Sequence, residues 1–163
     1  MSFAEPVTTL TDYALAAAAV ACAVSLLRFL NTDNRVSGWL WFGTFIASAV
    51  AGIAGGTWHG FPAFDPYTRD LLWSLAMSGI GAAIAFVVAA IHAADVRRGD
   101  GTVKWLVWAI GITAAGVVIE TTSVAFGSVN ENDVYHVLQI AALWCLYRCA
   151  RTARDRGARV VAP

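Results

Sequence analysis

Residues 71–93 read LLWSLAMSGIGAAIAFVVAAIHA, a run with no Asp, Glu, Lys or Arg. As an α-helix rising 1.5 Å per residue it is about 34 Å long, enough to cross a hydrocarbon core of about 30 Å. A surface helix of a soluble domain carries a polar face over such a length, and this run has none. Working outward, residues 38–58, 10–30 and 105–126 have the same character and similar lengths. Residues 134–147 are apolar too, but short for a span. They cross only if Arg148 and Arg151 snorkel and the lipid thins locally.

The whole composition agrees. The chain is 58% hydrophobic and 13% charged, about half the charged fraction usual in soluble domains. Its 163 residues suit one domain, 1–163, and its formal net charge of zero offers no field for nucleic acid. Cys22, Cys145 and Cys149 lie inside apolar stretches, an odd number in a place unsuited to a disulfide framework. Met1 to Thr9 lacks the basic residues of a secretory signal, so the first apolar run is expected to be a retained helix.

Turn-forming residues separate the runs at 31–34, 60–66, 97–101 and 127–133. Short connections make consecutive helices neighbours in an up-down bundle. Arg28, Arg35, Arg97, Arg98, Lys104 and the five arginines from Arg148 to Arg159 then fall on one side, and only Arg69 on the other. Basic residues stay cytoplasmic. The expected fold is therefore all-α, an integral membrane bundle of about five antiparallel transmembrane helices. Its N-terminus is outside, and a basic cytoplasmic tail covers 148–163. The expected location is the inner (plasma) membrane, multi-pass, with the lipid bilayer as the first partner and no nucleic acid. Ser48, Gly52 and Gly56, with Gly79, Gly111 and Gly116, are expected to let helices pack closely.

Within this topology the remaining ionisable residues gather near the outer ends. Asp12 begins the first helix, His59 ends the second, and Asp65 and Asp70 flank the next loop. Glu120 lies about two turns inside the fourth, and Asp133, His136 and Gln139 open the fifth. A carboxylate as deep as Glu120 should face a bundle interior, a cavity or a partner. Asp133 could cap the fifth helix, accepting from the backbone or from His136. Two histidines with one or two carboxylates can complete a zinc site with an open position. Two histidines from different helices could instead hold a haem, and acids with a histidine could relay protons. Spacing does not choose among these, because the donors come from different helices. A retinal pigment is disfavoured, since the only lysine, Lys104, lies at a membrane boundary.

Thr57-Trp-His59, an acidic residue shortly after it, and a histidine on the last helix resemble the CREST superfamily of membrane hydrolases. That resemblance implies a zinc-dependent lipid amidase, with His59 and His136 as metal ligands and Asp65 or Asp70 as the acid. The chain departs from that pattern in having about five helices instead of seven. Gly55 stands at the family's serine, and Ile140 at the second last-helix histidine. The chain also resembles small bacterial multi-pass membrane proteins of unassigned function. Three functions stay open: an outer pocket for a metal ion, cofactor or small ligand; a non-enzymatic subunit or scaffold that pairs with itself or with a membrane partner; and a zinc hydrolase.

Overall fold

A computed structural model describes residues 4–28, 35–93, 101–121 and 129–160. Five α-helices follow one another: α1 (Pro6–Leu27), α2 (Arg35–Gly60), α3 (Pro66–Ala93), α4 (Gly101–Thr121) and α5 (Glu131–Val160). Four of them, over residues 6–27, 35–60, 66–91 and 102–119, are long and apolar enough to cross a membrane. The fifth differs from expectation. It is one helix of 30 residues, so the basic segment expected as a tail is helical from Arg148 to Val160 and continues α5. A helix satisfies its own backbone hydrogen bonds whether its side chains meet lipid or water. The ladder therefore need not stop where hydropathy falls.

The helices form a row with α1 at its centre. On one side α1 packs against α2, which carries α3; on the other it packs against α5, which carries α4, and α2 touches α5 lightly. Consecutive helices were expected to be neighbours throughout, and α3 with α4 is the exception: their described residues do not pack together. A short connection limits how far apart two helix ends lie, but lateral packing is chosen by the fit of their faces.

Small side chains set that fit. A Cβ on Gly52 would come within 2.9 Å of the Asp12 carbonyl oxygen on α1. One on Gly79 would come within 2.9 Å of the Ala47 carbonyl oxygen on α2. In each case only the missing side chain allows the backbones to approach so closely. Ala16, Ala19 and Ala23 line the buried side of α1. Bulk is concentrated at the other end of the bundle, where Trp41, Phe45, Leu143 and Tyr147 close on Ala90, Cys149 and Ala150.

The outward faces are apolar. Ile84, Val88, Val107, Trp108, Ile110 and Val118 are all more than half exposed on α3 and α4. Such continuous apolar surface is unfavourable against water and favourable against lipid.

Candidate ligand-binding site

The first turns of α1 and α5 lie side by side, and polar side chains join them. Asn130 precedes α5, and its side-chain oxygen accepts from the Asp133 amide at 2.9 Å. The Asp133 carboxylate returns the bond, accepting from the Asn130 amide at 2.9 Å. This reciprocal pair is a capping box, which satisfies amides that a helix start leaves without partners. Asp133 thus caps α5 through the Asn130 amide and not through His136. Its other oxygen accepts from the Thr8 hydroxyl on α1 at 2.8 Å, and both side chains are fully buried. Asn130 Nδ2 adds a longer bond to Thr8 Oγ1, at 3.4 Å.

One turn deeper, His136 Nε2 faces Asp12 Oδ1 at 3.2 Å. The Asp12 side chain is 4% exposed and that of His136 12%. Glycines on α2 make room for the acid. A Cβ on Gly55 would meet Asp12 Oδ2 at 3.3 Å, and one on Gly56 would meet Asp12 Cβ at 3.0 Å. The stripe read as a packing surface is therefore also the wall of the acid's pocket. Among the described residues, two buried polar atoms of this pair have no hydrogen-bond partner, Asp12 Oδ2 and His136 Nδ1. Buried polar atoms are nearly always satisfied, so such orphans mark where something else belongs.

Among the other candidates, His59 and Asp65 have different hydrogen-bond partners. His59 Nδ1 is 2.9 Å from Glu5 Oε2, at the more exposed entrance to α1. Trp58 stacks edge-on against His59 and also carries the Arg69 guanidinium 4.4 Å over its ring. Nearby, Tyr13 OH and Thr57 Oγ1 are 3.1 Å apart. Asp65 is the N-cap of α3: its carboxylate accepts from the Thr68 hydroxyl at 2.6 Å and the Thr68 amide at 3.0 Å. Those bonds, the hydroxyl's first, hold its carboxyl below the ordinary value. Asp70 is exposed on α3, and Gln139 is half-buried one turn beyond His136. Glu120 lies in the last turn of α4, and its side chain falls outside the described residues.

The two histidines expected in one site each face a different carboxylate, His59 with Glu5 and His136 with Asp12. Among the described residues no group of three or more His, Cys, Asp or Glu side chains is placed to hold a metal ion. Sequence reasoning missed Glu5, Thr8 and Asn130. The Asn130-x-x-Asp133 spacing ahead of an apolar run was the available signal for the cap. Nothing in the spacing connected Thr8 to a residue 125 positions away.

No curated protein and no solved structure matches the chain. No similarity to the CREST hydrolases is shown. A family profile described as a family of unknown function (DUF6962) matches residues 7–96 and 83–155, which together reach into all five described helices. The chain belongs to that family.

Proposed function

We propose that this chain is a multi-pass inner-membrane protein whose outer end binds a small cationic or hydrogen-bond-donating ligand between Asp12 and His136. The observation that carries the reading is the unpartnered Asp12 Oδ2 in an almost fully buried side chain. With Asp12 ionised its carboxylate only accepts, and its contact with His136 then takes the proton on Nε2. The Nδ1 atom is then an acceptor as well. Two buried acceptors without donors favour a protonated amine, a hydronium or ordered water, or a metal cation that brings its own further ligands. Supporting the orientation, ten of the eleven Lys and Arg residues fall on the side opposite this pair in an antiparallel arrangement. Contacts of Gly43 with Phe86, and of Ser37 with the Ala90 carbonyl, support that arrangement for α2 and α3.

The test is a thermal-shift series on the purified full chain with ammonium, methylammonium, alkali and divalent cations. A ligand that binds only the folded state raises the midpoint as its concentration passes its Kd. We expect one class to do so in the native chain and not in Asp12→Asn or His136→Gln. A shift that persists in both variants, or none for any cation, would refute the reading. A reporter fused after Pro163 should lie in the cytoplasm.

A second reading, a subunit of an assembly, is favoured by Gly81 and Gly111. Open space surrounds the Cβ position of each on α3 and α4. If another helix docks there, Gly111→Leu should shift the protein to a smaller species on a native gel.

A further inference from the structure

Two cations converge on one indole ring at the opposite end of the bundle. Lys104 Nζ on α4 lies 5.5 Å from the centroid of Trp105, and Arg148 Cζ on α5 lies 4.6 Å from it. The two charges are therefore no more than about 10 Å apart, within a Debye length at physiological salt. Both side chains are exposed, and neither forms an ion pair with a carboxylate among the described residues. The ring attracts each cation, but it does not cancel their mutual repulsion. A guanidinium stacked on an aromatic face also keeps its in-plane N–H donors free, in the fork that fits a phosphate. The lysine adds a second positive charge within about 10 Å of that fork.

The position matters as much as the charge. The apolar span of α4 begins at Thr102, so this cluster lies at its boundary, where headgroups sit. From this we infer that Lys104, Arg148 and the Trp105 ring form a binding site for a phosphate-bearing anion, an anionic phospholipid headgroup or free phosphate. The inference rests on the membrane reading but not on the Asp12–His136 ligand. Failure of one leaves the other standing.

Native mass spectrometry of the full chain in a neutral detergent tests it, with phosphatidylglycerol and phosphatidylcholine offered at equal concentration. Phosphatidylglycerol should be retained several-fold in preference. Lys104→Gln and Arg148→Gln should each weaken that retention about fivefold, the effect of one basic residue near an anionic surface. The Lys104→Arg variant, which preserves the charge and leaves the Arg148 fork in place, should keep it. Inorganic phosphate at millimolar concentration separates the two sources. Displacement of the lipid, with the same dependence on the variants, identifies free phosphate as an occupant, and no displacement identifies the headgroup. Equal retention of the two lipids overturns the proposal. So does unchanged phosphatidylglycerol retention in Lys104→Gln, a change at an exposed side chain that leaves the fold intact.

Discussion

Replacing Gly52 by alanine should loosen the α1–α2 contact on which the candidate site depends. The added Cβ would sit 2.9 Å from the Asp12 carbonyl oxygen and 3.2 Å from both the backbone nitrogen and the Cβ of Ala16. An ordinary contact begins near 3.4 Å, so the two helices must separate by about 0.5 Å. Two of the three blocking atoms are backbone, and no rotamer change relieves them. Overpacking of this kind costs roughly 1–3 kcal/mol. A gap of that width also forfeits a quarter or more of each dispersion contact along the seam. For a chain of this size, about 2 kcal/mol corresponds to a midpoint lowered by roughly 4–8 °C. The control is Gly81→Ala, where nothing lies within 4 Å and alanine's better helix propensity gives a change between zero and about 1 kcal/mol in the stabilising direction. Circular-dichroism melts of both variants in one detergent measure the difference. Gly79→Ala should resemble Gly52→Ala, since it meets the Ala47 carbonyl at the same distance. Coincident melts for Gly52→Ala and Gly81→Ala would refute the reasoning that backbone proximity sets the cost.

Other substitutions probe the polar centre and the caps. Asp12→Ala and His136→Ala should each destabilise by about 2–4 kcal/mol by leaving a buried partner alone. The double variant should cost less than the two together, with a coupling of roughly 1–3 kcal/mol; strict additivity in the cycle would mean the pair does not interact. Asn130→Ala should cost about 1 kcal/mol through the lost cap. Asp133→Ala should cost more, because the Thr8 hydroxyl loses its acceptor as well; equal effects in a chemical-denaturation series would contradict the bridge. Asp65 has a carboxyl depressed below 3.8 by Thr68. Its contribution to stability is therefore present above that value and lost as pH falls through the lower, folded one. Thr68→Ala should move the Asp65 titration, followed by carboxyl NMR, up toward 3.8; an unmoved titration would remove Thr68 as the cause.

The sequence made the helices legible but not their partners. Over their described residues the runs at 10–30, 38–58, 71–93 and 105–126 fall in helices, as expected of segments that would have to satisfy their backbone internally in lipid. Residues 29–30 and 122–126 lie outside the described residues. The ends differ by a few residues, since hydropathy reports where lipid stops and hydrogen bonding continues beyond it. The difference is greatest in α5, where the arginines after Tyr147 marked a boundary in polarity and the ladder ran on to Val160. Asp12 and His136 stood out as polar residues in apolar segments, but their pairing depends on α1 lying beside α5. That adjacency is marked by contacts between residues more than 120 positions apart, Thr8 with Asp133 and Asp12 with His136, which local periodicity does not encode. His59 was legible as a candidate as well, yet its partner Glu5 precedes the first apolar run and gave no signal.

The central place of α1 has a consequence for synthesis. The first of the five helices carries Thr8 and Asp12, and the residues that cover them, Asp133 and His136, are on the fifth. Contacts separated by so much chain form late, because the intervening loop entropy has to be overcome first. Throughout elongation an acid and a hydroxyl on α1 stay without their final neighbours, and only the arrival of α5 closes them. Completion of the polar centre therefore reports completion of the five-helix bundle. A version ending at Thr121 should insert but remain sensitive to protease, while the full chain is protected.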